Sequence, residues 1–356
     1  MNRQANSWPR VAIDARYLSR PDVGISVYIT SFVRELLESG WPVELLCDHE
    51  SQRIELEKLF PSCRAVALRP GHGFFWEQVT LPVYLKRARQ SLFVAPANWG
   101  IPLLYIGATR LVVVVHDLIP LRMPKEYLLQ DLRWSAKYLL STAIAALRAD
   151  WVITNSRATA NDVRRLWRRR RLRTVYPGAL RAPFVEGLAT DPPHEAGAYF
   201  LYAGGAGPRK NVRRLLEAMA TLRREGDERK LLISGSSGRL IEPDAEQMGL
   251  GDVVCFTGSV EAEVLVALTQ GADALVHPSC MEGFGLPVVD ALIQGTPVVC
   301  GRLPAVQEVA GDLPHYAEVD DALSIAEAMR EAGTAAARQR LRERAPSHFR
   351  SLRART

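Results

Sequence analysis

Short apolar runs alternate with amphipathic stretches along most of the chain, and this alternation restricts the fold more than any other feature of the sequence. In the first half, "RVAIDA" at 10–15 and "RLVVVVHD" at 110–117 are typical of buried strands. Further strands are predicted at 42–48, 65–68, 92–96 and 151–156, and helices at 25–39, 76–90, 127–148 and 157–167. Strands and helices that alternate in this way form parallel α/β sheets.

The second half of the chain repeats the pattern. Strands are predicted at 199–205, 230–235, 253–258, 274–279 and 297–301, and helices at 211–225, 261–270, 287–294, 304–310 and from about 320 to 344. Between the halves, residues 181–198 have no strong periodicity and contain Pro183, Pro192, Pro193 and two glycines. This is the composition of a linker.

The fold class that follows is α/β, with two doubly wound, Rossmann-like domains that face a central cleft. A chain of 356 residues has the length for two such domains. The predicted divisions are an N-terminal domain at 1–182, a linker at 183–198, a C-terminal domain at 199–340 and a basic tail at 341–356. Doubly wound sheets bind ligands beyond the carboxyl ends of their strands, so a site is expected there.

The composition indicates a globular protein of the cytoplasm. Hydrophobic residues make up 47% of the chain, but no apolar run reaches the ~18–20 residues of a membrane-spanning helix. The opening residues have no apolar core like that of a secretory signal. The five cysteines are scattered without CxxC spacing, which favours buried thiols in a reducing compartment. No zinc-protease motif, P-loop or D-x-D pair is present, and no metal is expected.

The net charge is +6, with arginines concentrated at 164–173 and after residue 338. A basic chain suits nucleic acid, anionic lipid or a phosphorylated small molecule. The sequence has no zinc-finger spacing and no RNP-like aromatic pattern, so we expect no nucleic-acid partner. The aromatic and basic residues at 71–90 and the arginines at 164–173 fit contact with anionic lipid, and they fit an ordinary solvated basic face equally well.

The first candidate site is the glycine turn "AGGAGPRKN" at 203–211, between a predicted strand and a helix. Gly205 lies in this turn, and Arg209 and Lys210 follow it. Main-chain N–H groups at a helix start, together with two side-chain cations, favour an anion such as a diphosphate. The turn lacks the third glycine of the dinucleotide fingerprint, and a plain Gly-Pro turn with solvated basic residues fits it as well.

The second candidate is "MEGFGLPVVDAL" at 281–292. Glu282 lies on a turn after a strand, and its carboxylate is suited to accept hydrogen bonds from sugar hydroxyls. The main-chain amides that open the next helix come from Gly283, Phe284, Gly285 and Leu286. Asp290 lies further along that helix and faces a different part of an extended ligand. The alternative is that Glu282 caps the helix and Asp290 is a surface residue.

The first half contains two further candidates. Gly24 follows the first strand, where a glycine lets main chain approach a ligand, although an ordinary loop glycine fits the local sequence equally well. His116 ends the apolar strand at 110–117. A single histidine at such a strand end is either a functional group or a satisfied structural one, and the sequence does not decide between them.

In order and spacing, these segments resemble the GT4 family of retaining glycosyltransferases, which have the GT-B fold. The resemblance runs from about residue 10 to 330 and is carried by "RVAIDARYLSRPDVGISVYI", "LVVVVHDLIP", "WVITNSRATANDV", "TVYPGAL", "YFLYAGGAGPRKNVRRLLEAM", "FTGSVEAEVLVAL" and "HPSCMEGFGLPVVDALIQGTPVV". The opening "IDAR…GISVYI" and "HDLIP" are most similar to the bacterial mannosyltransferase-like branch.

The resemblance implies roles for the candidate residues. Arg209 and Lys210 would hold the donor diphosphate, and Glu282, the first acid of the family's E-x7-E motif, would bind hydroxyls of the donor sugar. Asp290 stands where the family has a second glutamate that holds the ribose. The other implied positions are the amides of Phe284, Gly285 and Leu286 beside the sugar, Gly24 beside the phosphates, and His116 beside the transferred sugar. Ser26 and Val27 depart from the family's pattern, in which a second glycine and a basic residue follow the first glycine.

The implied activity is that of a hexosyltransferase acting with retention, without a metal or other cofactor, in cell-surface polysaccharide synthesis. GDP-mannose is the implied donor, and a glycan or a polyprenyl-diphosphate-linked sugar is the implied acceptor, which is consistent with peripheral contact with the inner face of the membrane. Two alternatives remain at this stage. One is a nucleotide-sugar 2-epimerase of the same fold, and the other is an inactive partner subunit. The terminal "SHFRSLRART" is short for the helix that in this family crosses back to the N-terminal domain.

Overall fold

The computed structural model describes residues 8–18, 24–69, 71, 73–168, 171–177, 198–236 and 238–354. The chain divides into two units, Met1–Gly178 and Ala179–Thr356. Of the predicted linker at 183–198, all but residue 198 lies outside the described residues. Each unit is an α/β sheet with its own core, as the alternation of apolar and amphipathic segments predicts.

The sheet of the first unit has seven parallel strands in the order β3-β2-β1-β4-β5-β6-β7. The strands are β1 (Val11–Asp14), β2 (Val43–Cys47), β3 (Arg64–Ala67), β4 (Leu92–Ala95), β5 (Arg110–Val115), β6 (Trp151–Thr154) and β7 (Leu172–Thr174). The inner strands are buried on both faces, which is why they read as nearly continuous apolar runs in the sequence. The strand order reverses between β1 and β4, so this edge is the switch point of the sheet.

Helices connect these strands. They are α1 (Gly24–Glu38), α2 (Glu50–Leu59), α3 (Gly73–Phe75), α4 (Leu81–Ala88), α5 (Ile119–Arg122), α6 (Pro124–Tyr127), α7 (Leu132–Arg148) and α8 (Arg157–Leu166), with a π-helical segment at Trp76–Thr80 between α3 and α4. The predicted helix at 127–148 begins only at Leu132, because the Asp131 carboxylate accepts hydrogen bonds from the N–H groups of Arg133 and Trp134 and caps α7 there. Ser156 caps α8 in the same way.

The sheet of the second unit has six parallel strands in the order β10-β9-β8-β11-β12-β13, which repeats the order of the first six strands of the other sheet. The strands are β8 (Tyr199–Ala203), β9 (Lys230–Ser234), β10 (Val254–Gly258), β11 (Ala274–His277), β12 (Val298–Gly301) and β13 (His315–Ala317). Its switch point lies between β8 and β11, which pair directly. The two candidate segments of this unit begin at the carboxyl ends of these two strands.

The helices of the second unit are α9 (Val212–Arg224), α10 (Gly238–Gln247), α11 (Ala262–Gly271), α12 (Leu286–Ile293), α13 (Pro304–Ala310), α14 (Ala322–Ala332) and α15 (Ala335–Ala354), with a 3₁₀ turn at Pro208–Lys210. Strand residues such as Phe200 and Tyr202 pack with Leu215 and Met219 of α9 in one core layer. Burial of each of these large apolar side chains contributes roughly 1.5–3 kcal/mol.

The C-terminal segment differs from the prediction. The helix expected at 320–344 is two helices that meet at Gly333, and the boundary drawn at residue 340 falls inside α15. Residues 341–354 are therefore helical and not a separate tail. The apolar residues Leu341, Ala345 and Phe349 are spaced about one helical turn apart, and each is at most 5% exposed. This buried stripe packs α15 against the rest of its unit.

One further feature fixes α15 in place. The guanidinium of Arg338 donates hydrogen bonds to the main-chain carbonyls of Gln270 and Ala272 at the end of α11 and of Gly295 just after α12. The last carbonyls of a helix have no partner within the helix, so the partly buried guanidinium of Arg338 satisfies them here.

Candidate functional site

Two loops meet at the switch point of the second sheet. One follows β8 and contains the 3₁₀ turn, and the other follows β11 and leads into α12. The main-chain N–H of Cys280 in the second loop donates to the carbonyl of Arg209 in the first, at 2.9 Å. The sequence places these two segments far apart, and the parallel pairing of β8 with β11 brings them together.

Glu282 is the centre of the contacts between these loops. Its Oε1 accepts hydrogen bonds from Arg209 Nη1 at 2.5 Å, from Lys210 Nζ at 2.8 Å and from His277 Nε2 at 2.9 Å. Arg209 Nη1 also lies 3.3 Å from the Met281 carbonyl. The structure thus joins the three residues of this unit that the sequence assigns to catalysis, and adds a histidine to them.

The neighbours of Glu282 set its protonation state. Burial alone would raise the pKa of Glu282, but the hydrogen bond from His277 and the charges of Lys210 and Arg209 hold it well below its usual range. Glu282 is therefore an anion, and the two cations Arg209 and Lys210 face it. The side chain of Glu282 is 9% exposed and that of Arg209 is 23% exposed. A dissolved anion can thus reach the Arg209 side of the cluster.

His277 is the residue of the cluster that the sequence analysis missed. It is the last residue of β11, and its side chain is 1% exposed. Burial lowers its pKa, so the ring is neutral and Nε2–H is the donor to Glu282. Within the described part of the chain, the buried Nδ1 has no hydrogen-bond partner. The strand-end position that singled out His116 applies equally to His277 and was the signal that could have found it.

The glycine turn after β8 is held by main-chain geometry. Gly204 has a φ of +157°, and the hydroxyl of Tyr202 donates to the Gly205 carbonyl at 2.5 Å. A Cβ at Gly235 would lie 2.5 Å from the Gly204 carbonyl oxygen, so only glycine allows the two loops to approach. Asn211, in the left-handed conformation, separates the 3₁₀ turn from α9. Helix α9 therefore begins at Val212, one residue after the predicted start, and the two cations project from the 3₁₀ turn itself.

The loop after β11 ends at Gly285, which has a φ of +91° and whose carbonyl accepts from the N–H groups of Val288 and Val289. The helix that follows begins at Leu286, one residue before the predicted start. Gly283, Phe284 and Gly285 are the buried last residues of this loop, and Leu286 is partly exposed. These four predicted donor-binding positions form a continuous stretch next to Glu282.

Asp290 lies on α12, eight positions after Glu282 along the chain. Its burial raises its pKa to about 6, and within the described residues its carboxylate has no hydrogen bond. The two acids therefore differ in character, because Glu282 is a charged group fixed by three donors, whereas the carboxyl of Asp290 makes no hydrogen bond to the described part of the chain. The roles assigned to them by the family resemblance remain predictions.

The predicted residues of the first unit have other surroundings. His116 is buried, its Nε2 donates to the Pro96 carbonyl at 2.7 Å, and the edge of the ring contacts Tyr28. Burial lowers its pKa to about 4, so the ring is neutral. Nε2 of His116 thus has a structural hydrogen-bond partner in the main chain. Gly24 is the exposed first residue of α1, and the chain just before it lies outside the described residues.

Two family profiles match this chain, one in each half. The profile described as "Glycosyltransferase Family 4" matches residues 23–179, and the profile described as "Glycosyl transferases group 1" matches residues 191–348. Together they include every candidate site residue of both units. The resemblance drawn from the motifs is confirmed.

Curated proteins similar to the chain include bacterial mannosyltransferases. O-antigen chain mannosyltransferase B of Escherichia coli is 37% identical over 131 residues, which are 35% of this chain and 33% of that protein. O-antigen chain mannosyltransferase RfbU of Salmonella typhimurium is 26% identical over 254 residues, 69% of this chain and 65% of that protein. The chain thus matches about a third of the length of the first and just under two thirds of the second.

A solved structure confirms the fold. The glycosyltransferase WaaG, involved in lipopolysaccharide biosynthesis, superposes with a TM-score of 0.71 over 96% of this chain and 95% of its own, at 16% identity. Both sheets have the Rossmann strand order, and the GT-B fold predicted from the sequence is present. With both halves matched by the family's profiles and a cluster of two cations and a carboxylate at the second switch point, the chain belongs to the GT4 family of glycosyltransferases.

Proposed function

We propose that the chain is a retaining hexosyltransferase that transfers mannose from GDP-mannose to a glycan or lipid-linked acceptor in cell-surface polysaccharide synthesis. The observation that carries the proposal is the contact of Arg209 and Lys210 with Glu282 at the carboxyl ends of β8 and β11. Family membership supports transfer from a nucleotide sugar. The names of the two mannosyltransferase relatives support mannose and a surface polysaccharide.

The cations of the cluster suit a diphosphate leaving group. Cleavage of the bond between a sugar and a diphosphate develops negative charge on the departing oxygens, and fixed cations that are already in place stabilise it by several kcal/mol. In this proposal Lys210 keeps its contact with Glu282 and donates another of its three N–H groups to a phosphate oxygen. Arg209, the more exposed cation, can reach the second phosphate.

Glu282 then serves as an acceptor for sugar hydroxyls. All three donors reach Oε1, so a ligand hydroxyl has Oε2 as its natural partner. Because the carboxylate is charged and rigidly held, its hydrogen bond to a hydroxyl belongs to the stronger, charge-assisted class. Asp290 is the proposed partner of the ribose hydroxyls. An aspartate reaches one methylene less far than a glutamate, which makes contact through a water a natural arrangement.

The proposed reaction needs no metal. In this proposal the neutralising charge that a divalent cation supplies in other phosphate sites comes from Arg209 and Lys210. Transfer should therefore continue in the presence of EDTA. A complete loss of transfer on chelation, restored by Mg²⁺ or Mn²⁺, would contradict this part of the proposal.

The experiment that tests the function is a donor screen with product analysis. The protein is incubated with GDP-mannose, GDP-glucose, UDP-glucose and dTDP-glucose, and released nucleotide and free sugar are measured. We expect slow hydrolysis of GDP-mannose to GDP and α-configured mannose. A 2-epimerase would instead yield a new nucleotide sugar without release of GDP. An inactive subunit would yield neither product and would bind no nucleotide tightly in calorimetry.

A surface of the first unit supports the proposed lipid-linked acceptor. Three neighbouring segments expose large apolar side chains at this surface, which we call the α7 surface: Phe74, Phe75, Val79 and Val83 in residues 73–83, Leu104 and Ile106 in the next loop, and Leu132, Trp134, Leu139, Leu140 and Leu147 of α7. Leu104 and Ile106 are 81% and 88% exposed. The N–H of Leu103 donates to Gln78 Oε1, and Arg148 of α7 donates to the Tyr105 carbonyl, so the segments adjoin.

The exposed charges in residues 73–88 and in α7 are positive, and the exposed acid Asp131 caps the start of α7. Helix α7 carries the exposed Arg133 and Lys137, the half-buried Arg148 and no acid, and α4, which continues the first segment to residue 88, ends with exposed Lys86 and Arg87. Glu77 is buried and paired with Arg16. Exposed aromatic and aliphatic side chains combined with cations favour the interface of an anionic bilayer. Within the described residues, no helix is both long enough and apolar enough to cross a bilayer, so the proposed contact is peripheral.

Flotation with lipid vesicles tests this contact. The protein should float with vesicles that contain phosphatidylglycerol and not with phosphatidylcholine alone, and raised salt should weaken the binding. Each basic residue near an anionic surface contributes about 1 kcal/mol, so reversing both charges in Lys86→Glu/Arg87→Glu should reduce binding at least ~10-fold. The control is Arg342→Glu/Arg344→Glu, which makes the same charge change on exposed positions of α15. If both variants lost vesicle binding equally, the binding would depend only on the net charge of the protein, and the α7 surface would not be the contact.

A further inference from the structure

The hydrogen bond of His277 to Glu282 has a fixed direction. The ring is 1% exposed at the end of β11, and its Nε2 lies 2.9 Å from Glu282 Oε1. A carboxylate has no proton to give, so the ring nitrogen must donate and carries the hydrogen. Nε2 also lies 3.2 Å from the Ser279 hydroxyl, whose oxygen offers a second, weaker acceptor. Lys210 Nζ, which can only donate, is 3.5 Å from Nε2, a much longer contact than the 2.9 Å to the carboxylate, so the carboxylate decides the direction. The geometry therefore selects one tautomer, with hydrogen on Nε2 and a lone pair on Nδ1.

The second ring nitrogen of His277, Nδ1, lowers the stability of the fold. Nδ1 is buried and has no hydrogen-bond partner within the described residues. A buried polar atom without a partner costs about 1–3 kcal/mol. Its strand neighbours Leu275 and Val276 are buried apolar residues, so an apolar side chain at position 277 would avoid this cost. A residue that weakens the core of its strand and makes its one good contact with Glu282 has the character of a functional group.

We propose that His277 is a positioning residue that holds Glu282 Oε1 in place, so that Oε2 is presented to the hydroxyls of the transferred sugar; this inference rests on the proposed function. Arg209 and Lys210 can both turn toward a bound diphosphate, because their side chains are long and partly exposed. The ring of His277 is short, buried and fixed by the strand. It therefore keeps its contact with Glu282 when the cations take up the donor.

The proposal separates two parts of donor recognition. Arg209 and Lys210 serve the diphosphate, whereas His277 acts on the sugar through Glu282. Loss of His277 should therefore weaken the binding of GDP-mannose more than the binding of GDP. The ratio of the two Kd values isolates the sugar contact and is insensitive to a general loss of folded protein.

Two substitutions at the same position test the inference. His277→Gln keeps a side-chain N–H near the position of Nε2, and His277→Leu fills a similar volume without a donor. We expect His277→Leu to be at least as stable as the wild-type protein in thermal unfolding, since it removes the unpartnered Nδ1. It should nevertheless lose about tenfold of the preference for GDP-mannose over GDP, the size of one charge-assisted hydrogen bond. His277→Gln should keep the preference within about twofold, as expected when the donated hydrogen bond is retained.

A purely structural role makes the opposite prediction. In that case the loss of the donor preference would follow the loss of stability, or the two variants would bind alike. An unchanged preference in a stable His277→Leu protein would overturn the inference.

A measurement without any donor separates this inference from the proposed function. In protein labelled with ¹⁵N at the histidine rings, the signals of His277, assigned by their loss in His277→Gln, should show hydrogen on Nε2 and none on Nδ1 at neutral pH. Hydrogen on Nδ1 would overturn the inference whatever the protein binds. If the wild-type protein shows the expected tautomer but binds no nucleotide sugar, the proposed function fails and the positioning of Glu282 by His277 stands.

Discussion

Lys210 and Glu282 are 72 positions apart in the chain, yet Lys210 Nζ lies 2.8 Å from Glu282 Oε1. The pair joins the loops after β8 and β11, and Arg209 and His277 complete the same contact. Because the side chains of Lys210 and Glu282 are only 13% and 9% exposed, solvent screens their attraction less than at an open surface. Their contact fixes the carboxylate of Glu282 beside the cations of the site.

Replacement of Glu282 by glutamine removes the anion and leaves the two cations facing each other. We expect Glu282→Gln to lose ~10²-fold or more in transfer rate, as for removal of one fixed electrostatic group. The free energy of unfolding should fall by about 1–3 kcal/mol, because buried partners lose their counter-charge. Steady-state rates and urea unfolding measure the two effects. Glu246→Gln, an exposed acid on α10, is the control and should change neither.

Replacement of Lys210 by methionine keeps most of the side-chain volume and removes the charge. The variant should bind GDP and GDP-mannose more weakly by a similar factor, ~10-fold or more, since the lysine serves the diphosphate that both ligands share. Calorimetric titration with each ligand measures this. Lys58→Met on the exposed face of α2 is the matched control. A selective loss of GDP-mannose binding alone would contradict the assignment of Lys210 to the diphosphate.

Asp290 predicts a dependence of stability on pH. Its pKa of about 6 lies above the ordinary value of 3.8, so folding favours the protonated acid, and the stability that this contributes is lost as the pH rises through 6. Asp290→Asn should therefore be more stable than the wild-type protein at pH 7.5, by up to about 3 kcal/mol, and nearly equal to it below pH ~4. Urea unfolding at both pH values measures the difference. A constant difference across this range would show that Asp290 does not titrate with a raised pKa.

His116 predicts the opposite dependence. Its pKa of about 4 lies below the ordinary 6.5, so the neutral ring stabilises the fold above pH 6.5, and this share is lost as the pH falls through 4. In His116→Gln, which can still donate to the Pro96 carbonyl, this loss should be absent. The stability gap between the two proteins should narrow by up to about 3 kcal/mol between pH 7.5 and pH 4. Transfer measured at pH 7.5 then decides the predicted catalytic role, because a structural histidine leaves the rate of the folded variant unchanged.

Replacement of Gly285 by alanine should destabilise the fold through both backbone strain and a steric contact. Its φ of +91° is unfavourable for alanine, and a Cβ would lie 3.0 Å from Val306 Cγ2. Gly285→Ala should lower the free energy of unfolding by about 1–3 kcal/mol and weaken donor binding through the shifted amides of the loop. Gly226→Ala is the matched control, since Gly226 has a φ of +88° with nothing within 4 Å. The difference between the two variants measures the contact with Val306 alone.

The sequence predicted the buried strands well, but it did not predict the short edge strands or the helix that contains a proline. Strands such as β5 and β11 are buried along nearly their whole length, so an apolar run marks each one to within a few residues. The edge strands β7 and β13 were missed, because each has three residues and a mixed polarity. Helix α10 was missed as well, since Pro243 within it is a signal that normally argues against a helix.

Some residues of the site could likewise be named from the sequence, and others could not. Arg209, Lys210 and Glu282 could be named from the sequence because their turns have glycines and prolines that mark them. His277 was missed although it ends its strand as His116 does, because its contact with Glu282 depends on how the loop after β11 folds back on the strand end. The same limit applies to Asp290, whose raised pKa depends on how deeply α12 packs.

Arg338 connects the C-terminal helix to this chemistry in a way that matters for anyone who shortens the protein. Its guanidinium binds carbonyls beside the ends of α11 and α12, and α12 is the helix that bears Asp290. A truncation before Arg338 would strip these carbonyls of their donor and let the far end of α12 fray. Such a truncation should first lower the affinity for the nucleotide, before the sheet itself unfolds.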